Sequence, residues 1–340
     1  MHSVLTFGEI MLRLAPPDGH RLLQTNQLEA TFGGGEANVA VSLANYGVQA
    51  AYLTCLPNNP VGQAAINSLR YFGVDTSRIL RCGDRIAVYY VEKGASQRPS
   101  KVIYDRKYSA VSMSNPSDYD WNVLFDGITW FHFTGITPAL GPNLAQACME
   151  AVQTAKHKGI PVSCDLNYRK NLWSSEDAYL TMSKLMPYVD VCIANEEDAE
   201  KVLGVKAGNT DVSSGRLEYD GYREVAKTLS ERYGFKKTAI TLRTSYSADN
   251  NRWAGMLYDG NDCYFSKEYD IHIVDRVGGG DSFGGALIYA LLQEYGSEEA
   301  IEFAVAASCL KHSIQGDYNR VTPDEVRALM KGGGSGRVER

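Results

Sequence analysis

The amino-acid sequence predicts an α/β protein in which helices cover both faces of a mainly parallel sheet, giving a three-layer α/β/α fold with a small β-sheet lid. Three observations support this prediction. Short apolar runs alternate along the chain with longer segments of helical period, as they do in strand–helix units. The apolar runs lack polar alternation, which is typical of strands buried on both faces. Two polar regions interrupt the alternation, and they predict the lid.

The elements of the main layer follow from the spacing of the apolar residues. Strand-like runs cover residues 4–7, 50–55, 130–134, 161–165, 190–194 and 238–242. Amphipathic stretches lie between them at residues 37–46, 62–72, 143–158, 179–186, 198–203 and 222–233. Beyond residue 280 the pattern becomes mostly helical, with helices predicted at residues 282–294, 298–313 and 323–331. A helix between successive strands is the connection that lets those strands lie parallel in one sheet.

The lid is predicted from the two regions that break this rhythm. Residues 12–31 are polar and irregular, and residues 85–110 contain two alternating strands around a connection at 94–100. We predict a single α/β domain over residues 1–331, with the lid inserted at about 12–32 and 85–112. Residues 332–340 are rich in glycine, which predicts a flexible tail.

Composition and charge argue against several classes of protein. The formal net charge of −6 disfavours a nucleic-acid-binding protein, because such proteins are usually basic. No stretch reaches the ~18 apolar residues of a membrane span, and Glu9 and Arg13 interrupt the early apolar run that a signal peptide would need. The seven cysteines are scattered along the chain, which favours unpaired thiols in a reducing compartment. We therefore expect a cytoplasmic protein.

The most informative segment is Asp275-Arg276-Val277-Gly278-Gly279-Gly280-Asp281-Ser282-Phe283. Three successive glycines let the backbone turn with its N–H groups converging. The helix predicted directly after them adds unpaired N–H donors and the positive end of its dipole, so the turn should bind an anion such as phosphate. From the residues alone, Asp281 is either a helix N-cap or a base that faces an acceptor hydroxyl.

A second glycine turn, Gly33-Gly34-Gly35-Glu36-Ala37-Asn38, lies near the N-terminus. Its glycines let the backbone approach a ligand closely. Asn38, one turn into the following helix, offers both a donor and an acceptor to sugar hydroxyls. The alternative is a turn followed by an ordinary amphipathic helix.

These two segments resemble the signatures of the ribokinase-like (PfkB) carbohydrate kinases, G-G-x-x-x-N-x-A-x-x-L-A-x-L-G and D-T-x-G-A-G-D-x-F. The chain departs from these patterns at Tyr46, Arg276 and Gly279. The resemblance spans nearly the whole chain and implies a ribokinase-like fold that transfers a phosphoryl group from ATP to a sugar hydroxyl. It implies that Asp281 is the catalytic base. It also implies an anion hole formed by the backbone of Gly278, Gly279, Gly280 and Asp281.

The resemblance extends to the nucleotide and its metal. Asn195-Glu196-Glu197-Asp198 resembles the family's N-x-x-E motif, with Asp198 in place of the usual Glu, although a solvated acidic helix start is the alternative. The implied nucleotide-binding residues are Asn167, Asn195, Thr241, Arg243, Gly278 and Gly280, and the implied metal ligand is Asp198. The implied cofactors are ATP and Mg²⁺, and the sequence leaves open a monovalent cation such as K⁺.

The lid residues predict the kind of sugar. Period-two geometry places Val102, Tyr104 and Arg106 on one face of a lid strand. If the face of the partner strand that carries Tyr90 also points inward, two phenols and a guanidinium converge above the sugar. The planar fork of an arginine matches a carboxylate, so Arg106 favours a sugar acid. The alternative is a solvated surface arginine.

Arg169 follows the buried run 161–165, at the strand end where open α/β sheets bind ligands. Together with the lid residues and the stretch 94–101, it resembles the 2-keto-3-deoxygluconate kinases within the family. This resemblance implies that the sugar acid is contacted by Gly34, Asn38, Tyr90, Tyr104, Arg106, Arg169 and Asp317. For Asp317, a turn residue after a helix is the alternative.

The sequence thus predicts ATP-dependent phosphorylation of a sugar-acid hydroxyl, by resemblance O6 of 2-keto-3-deoxygluconate. A kinase of the fructokinase or ribokinase type and a catalytically silent sugar-binding sensor are the alternatives. A nicotinamide-dependent dehydrogenase is disfavoured because an early G-x-G-x-x-G is missing. The expected partners are the sugar acid and ATP, with neither nucleic acid nor membrane. A homo-oligomer formed through the lid is expected because exposed strand edges favour pairing.

Overall fold

A computed structural model describes residues 2–206 and 219–332 of the chain. Its strands are β1 (Ser3–Phe7), β2 (Met11–Ala15), β3 (Glu29–Gly33), β4 (Gln49–Leu53), β5 (Cys55–Leu56), β6 (Leu80–Arg81), β7 (Ala87–Glu92), β8 (Lys101–Asp105), β9 (Trp130–Thr134), β10 (Val162–Asp165), β11 (Val191–Asn195), β12 (Lys237–Ser245), β13 (Asn250–Tyr258), β14 (Cys263–Phe265) and β15 (Tyr269–His272). Residues 333–340 of the predicted tail lie outside the described residues.

The helices are α1 (Gly35–Asn45), α2 (Pro60–Arg70), α3 (Trp121–Leu124), α4 (Ile136–Ala139), α5 (Pro142–His157), α6 (Ser175–Leu185), α7 (Glu196–Leu203), α8 (Tyr219–Tyr233), α9 (Gly279–Leu292), α10 (Ser297–His312) and α11 (Pro323–Met330). Several begin at a side-chain cap: Asn59 accepts from the Gly62 N–H before α2, and Thr322 accepts from the Glu325 N–H before α11. In residues 2–206 and 219–332, every helix is too short or too polar to cross a lipid bilayer.

The large sheet has the strand order β14-β13-β12-β11-β10-β9-β1-β4, and β15 also pairs with β13. The pairs from β4 to β12 in this order are parallel. The pairs of β13 with β12, β14 and β15 are antiparallel and complete one edge. The prediction of a mainly parallel sheet is confirmed, and the antiparallel edge is an addition to it.

Helices pack on both faces of this sheet. Alternate residues of β1 point to opposite faces, so Leu5 and Phe7 join one core while Val4 joins the other. The first core is completed by helices α3 and α5 to α8, and the second by α1, α2 and α9 to α11. The predicted three-layer α/β/α fold is therefore confirmed.

The remaining strands β3, β2, β7 and β8 form a separate sheet in that order, called the small sheet from here on. Strand β2 pairs antiparallel with β3 and parallel with β7, and β8 is an edge strand. Two buried ion pairs hold the small sheet to the body of the protein, because Arg13 Nη1 contacts Asp317 Oδ1 at 2.5 Å and Arg13 Nη2 contacts Asp275 Oδ2 at 2.6 Å. The space between the two sheets is a cleft.

The cysteines differ from the expectation in one respect. Cys55 and Cys82 form a disulfide with their Cα atoms 5.9 Å apart, which corrects the prediction of unpaired thiols for these two residues. They meet because β5 pairs with β6, a contact between distant parts of the chain that cysteine spacing does not reveal. The other five, Cys148, Cys164, Cys192, Cys263 and Cys309, are free thiols.

Candidate active site

A cleft of about 450 Å³ lies at the carboxyl ends of the parallel strands, between the large and small sheets. The structure brings almost all of the predicted site residues into it: Gly34, Asn38, Tyr104, Arg106, Asn167, Arg169, Asn195, Asp198, Thr241, Arg243, Gly278, Gly280, Asp281 and Asp317. Two predicted residues do not line the cleft, namely Tyr90 and Gly279. The walls are thus built from segments that lie far apart in the sequence.

The glycine turn at residues 278–280 leads directly into helix α9. Gly278 is the N-cap residue, with φ of 84° in the left-handed region that favours glycine. The Gly279 N–H donates to the Arg276 carbonyl at 3.3 Å, which turns it away from an anion. Gly280 and Asp281 supply the next N–H groups of α9, which a helix leaves without an intrahelical acceptor. An anion bound at this turn would therefore meet these two amides.

Asp281 stands in the first turn of α9 and does not cap the helix, so the N-cap interpretation is wrong. Its Oδ2 accepts a hydrogen bond from Asn38 Nδ2 at 2.6 Å. Burial raises the pKa of Asp281 to about 6, while the bond from Asn38 and the positive charge of Arg169 act to lower it. Above this pH the carboxylate is ionised and can accept a proton.

Two further carboxylates, Asp165 and Asp198, line the same wall. Asp198 Oδ1 accepts from the Tyr168 N–H at 3.0 Å, and Asn195 Oδ1 caps α7 by accepting from the Asp198 N–H at 2.8 Å. Burial raises the pKa of Asp198 to about 6. Burial also raises the pKa of Asp165, and the negative charges of Asp198 and Asp281 add to this effect. A cation would relieve this repulsion. Asp165 is not among the site residues predicted from the sequence.

These carboxylates fit Mg²⁺ better than a transition metal. Among residues 2–206 and 219–332, no cluster of three or more His, Cys, Asp or Glu side chains could hold a metal ion by itself. Mg²⁺ usually takes one or two carboxylates and completes its octahedron with water and substrate phosphates. Asp198 and Asp165 can supply that small share of the ligands.

The loop after β10 presents Asn167 and Arg169 to the cleft. Asn167 has φ of 40°, a left-handed conformation that asparagine tolerates better than most residues. Its N–H donates to Asp165 Oδ1 at 3.1 Å, which stabilises the turn. Arg169 is exposed, and its Nη1 donates to the Tyr168 carbonyl at 2.9 Å.

The small sheet supplies Tyr89 to the cleft, and not Tyr90. The antiparallel register pairs Tyr89 with Tyr104 and Tyr90 with Ile103. Directly opposite residues share a face, so Tyr90 points away from the face that carries Tyr104 and Arg106. The rings of Tyr89 and Tyr104 stack with centroids 6.0 Å apart. The inward placement of Tyr90 is therefore corrected to Tyr89.

Arg106 is buried in an ion pair rather than solvated. Its Nε and Nη2 donate to Glu9 Oε2 at 2.8 and 2.5 Å, and Ser109 Oγ donates to Glu9 Oε1. The guanidinium lies 5.2 Å from the centroid of the Tyr104 ring. The surface interpretation of Arg106 is wrong, because only 8% of the residue is exposed. Glu9 holds the guanidinium at the boundary of the cleft.

Asp317 lines the cleft, yet both of its carboxylate oxygens have protein partners. Oδ1 accepts from Arg13 Nη1, and Oδ2 accepts from the Tyr89 hydroxyl. Burial raises the pKa of Asp317, while the positive charge of Arg13 acts to lower it. Asp317 thus holds the phenol of Tyr89 and the guanidinium of Arg13 in place, so it is more than a simple turn residue.

Two further arginines, Arg243 and Arg276, line the cleft. Arg243 follows Thr241 on β12, and Arg276 precedes the glycine turn. Arg276 Nη2 donates to the Ala248 carbonyl at 2.8 Å, while its buried Nε has no protein partner. Burial lowers the pKa of Arg276, and the positive charge of Arg243 lowers it further. Arg276, which appeared in the sequence only as a departure from a family pattern, therefore adds positive charge to this part of the cleft.

The fold and this cleft are those of an enzyme that transfers a phosphoryl group to a sugar. Residues 1–324 match the profile of the pfkB family carbohydrate kinases. The chain belongs to this family, and it is a carbohydrate kinase. The resemblance found in its two signatures is confirmed.

Two of the three relatives described here are named as kinases of 2-dehydro-3-deoxy compounds. The chain is 34% identical over 337 residues to a 2-dehydro-3-deoxygalactonokinase of Haloferax volcanii, covering 98% of each chain. It is 51% identical to the crystal structure of a 2-dehydro-3-deoxygluconokinase from Thermotoga maritima, with a TM-score of 0.94 over 98% of this chain and 100% of that one. A pfkB family carbohydrate kinase from Listeria grayi is 35% identical, with a TM-score of 0.90 over 97% and 99% of the two chains.

The structure predicts that alanine, the residue of the family pattern, is not tolerated at position 279. A Cβ atom there would lie 2.5 Å from His312 Cε1. The ring cannot easily yield, because His312 Nδ1 bonds the Ser308 carbonyl and the ring packs on Trp253. We expect Gly279→Ala to lower the free energy of unfolding by about 1–3 kcal/mol and to reduce kcat by displacing the turn. Gly296→Ala, which meets open space at the start of α10, is the control. Equal thermal unfolding and kcat for both variants would contradict the prediction.

Proposed function

We propose that this protein is an ATP-dependent kinase of sugar acids that converts 2-keto-3-deoxygluconate to its 6-phosphate, with Asp281 as general base. The observation that carries the proposal is the position of Asp281. Its carboxylate lies beside the amides of the glycine turn on one side and is bonded to Asn38 on the other. An acceptor hydroxyl placed there would meet both the base and the phosphoryl group held by the turn.

The choice of a sugar acid rests on charge. Arg106 and Arg169 line the cleft together with Tyr89 and Tyr104. Arg106 is already paired with Glu9, whereas Arg169 forms no ion pair within residues 2–206 and 219–332. A substrate carboxylate would match the planar fork of Arg169. The names of the relatives from Haloferax volcanii and Thermotoga maritima agree with a 2-keto-3-deoxy acid, and they differ in the epimer. A kinase of the fructokinase or ribokinase type remains the alternative that a panel of substrates would reveal.

The nucleotide is proposed to bind in the part of the cleft that Arg243 and Arg276 line. Arg243 and Arg276 would face its phosphates, with Thr241 and Asn195 beside them. Asn167 lines the wall next to Asp165 and completes the proposed set. Mg²⁺ bound by Asp198 and Asp165, largely through water, would neutralise charge on the phosphates. Most of the protein's contribution to phosphoryl transfer is positioning and charge stabilisation.

The proposed proton transfer needs only groups on the chain. The Asp281 carboxylate accepts the proton of the O6 hydroxyl while that oxygen attacks the γ-phosphorus in line. The bond between the γ-phosphorus and the oxygen that bridges to the β-phosphate breaks, and ADP leaves with the electron pair. The amides of Gly280 and Asp281 donate to the phosphoryl oxygens as their charge changes.

We propose that the small sheet acts as a lid, inserted into a single α/β domain over residues 1–331, that excludes water from the site. A cytoplasmic location completes the proposal, because ATP is supplied there.

We also propose that two copies pair through the small sheet. Strand β8 is its edge, and all five of its residues are exposed, including Val102, Ile103 and Tyr104. An exposed apolar edge strand favours pairing with another strand. A second copy of the chain could pair with β8 through its own β8, which would give a symmetric contact.

Asp281→Asn tests the base. We expect kcat to fall by about 10²–10⁴-fold, with sugar binding retained.

In the wild type, kcat/KM should rise with pH through about 6 and then level off, since the raised pKa of Asp281 leaves it protonated below that value. The same raised pKa means that ionisation opposes folding, so the variant should be no less stable than the wild type at pH 8. Steady-state kinetics, calorimetric sugar binding and thermal unfolding check this. Full activity of the variant would refute the base, and a wild type that binds sugar without forming ADP would indicate a sensor.

Arg106→Ala tests the substrate class. We expect kcat/KM for 2-keto-3-deoxygluconate to fall by about 10–100-fold, because a charged hydrogen bond is lost. Neutral sugars such as fructose and ribose should be affected far less, and a folding defect would reduce activity on all of them equally. Tyr90→Phe is the matched control and should change little, since Tyr90 faces away from the cleft. Equal losses on acidic and neutral sugars, in a variant that unfolds at the same temperature as the wild type, would reject the sugar-acid proposal.

Ile103→Glu tests the pairing of copies. Ile103 is 53% exposed on the face of β8 opposite to Tyr104, so a charge there should disrupt a shared edge without entering the cleft. The wild type should sediment as a dimer or larger species and the variant should shift towards a monomer. Val123→Glu, at a site 66% exposed on α3, should leave the assembly unchanged. A monomeric wild type would end this proposal.

A further inference from the structure

Lys311 occupies an unusual position directly behind the glycine turn. It lies in the last turn of α10, and none of its surface is exposed. A fully buried lysine is rare, because an ammonium group is strongly hydrated in water. The side chain rests on the turn itself, since a Cβ atom at Gly278 would lie 3.2 Å from Lys311 Cε. Lys311 does not line the cleft, so any effect on the reaction passes through the turn.

The partners of this ammonium are main-chain carbonyls. Lys311 Nζ donates to the carbonyl of Ile314 at 3.3 Å and to that of Asp275 at 3.5 Å. Within residues 2–206 and 219–332, no carboxylate oxygen comes within 4.0 Å of Nζ. One carbonyl belongs to the segment that enters the turn, and the other to the segment that follows α10. The ammonium therefore ties together two stretches of chain that would otherwise present carbonyl oxygens to each other.

Carbonyl oxygens that converge in this way are the ligands that proteins offer to K⁺. Here they already accept from Lys311. The carboxylate of Asp275 is also occupied, because it pairs with Arg13 Nη2 and accepts from the Gly316 N–H at 3.1 Å. A metal ion placed among these oxygens would face the charge of the ammonium at close range, which is strongly unfavourable in a buried setting. The residues around the turn do not fit a bound monovalent metal ion.

We propose that the ammonium of Lys311 is a built-in monovalent cation that holds the glycine turn in its phosphate-binding shape, so that phosphoryl transfer requires no K⁺ or Na⁺. Lys311 is in this sense a positioning residue. Its charge neutralises the carbonyl oxygens behind the turn and lets the amides of Gly280 and Asp281 point towards the phosphate. The inference rests on the kinase function proposed above and adds the means by which the anion hole is kept in shape.

The pKa of Lys311 is lowered overall, and nearby carboxylates oppose that shift. Burial lowers its pKa, whereas the carboxylates of Asp275, Asp317 and Asp281 act to raise it. The positive charge of Arg13 also lowers the pKa of Lys311. Arg13 is itself paired with Asp275 and Asp317. The turn is thus backed by two buried cations that belong to the chain.

The experiment measures ADP formation with ATP and 2-keto-3-deoxygluconate in buffers whose only monovalent cation is tetramethylammonium, which is too large for a carbonyl site. The wild type should be fully active there, and added K⁺, Na⁺ or NH₄⁺ should change nothing. Lys311→Ala should lose activity by about a hundredfold. Because the substitution vacates the ammonium position, NH₄⁺, K⁺ or methylammonium should restore part of that activity. Lys237→Ala is the control: Lys237 donates to Ser297 Oγ on another part of the fold, so its variant should show neither the loss nor the response.

Three results would overturn the proposal. They are a wild type that needs K⁺, a Lys311→Ala variant as active as the wild type in tetramethylammonium, and a variant that unfolds normally on heating but responds to no cation. If the variant fails to fold, the cation dependence of the wild type decides alone. A wild type that forms no ADP from any sugar would refute the kinase function instead. Calorimetric binding of ATP in the same buffers would then test Lys311, because affinity should respond to cations only in Lys311→Ala.

Discussion

The structure depends most on the hydrogen bond that joins Asn38 to Asp281, because it brings two glycine turns from opposite ends of the chain to one point. Each turn precedes a helix, α1 or α9, and both helices pack in the same core on one face of the large sheet. That packing fixes the first turns of the two helices side by side. The carboxylate, its amide partner and the anion-binding N–H groups are therefore placed by the core of the protein rather than by a flexible loop.

A second constraint connects the small sheet to this centre. Arg13 and Tyr89 come from neighbouring strands of the small sheet, and both contact Asp317. Arg13 also contacts Asp275, just before the glycine turn. Breaking a buried pair by removing one partner is expected to cost about 3–5 kcal/mol, so these contacts resist separation. The small sheet and the glycine turn are therefore held in a fixed relation.

Local sequence patterns were sufficient to predict the parallel core and most of the residues that line the cleft, since strand runs and glycine turns are local signals. They failed wherever the answer depended on pairing between distant residues. Period-two spacing separates Tyr89 from Tyr90 but cannot say which face is inward, and only the register with β8 decides it. The ion pair of Glu9 with Arg106, the contacts of Lys311 and the disulfide of Cys55 with Cys82 are invisible for the same reason. The antiparallel edge at β13 was missed because its strands follow no helix.

The close contact between Gly279 and the ring of His312 has a consequence for how such sequences can diverge. An added methyl group at 279 and an imidazole at 312 compete for the same volume, so the two sites are epistatic. A lineage that starts from this chain can acquire alanine at 279 only after the ring at 312 has been replaced by something smaller. The steric clash therefore determines which of the two substitutions must come first, and residues 279 and 312 are expected to covary.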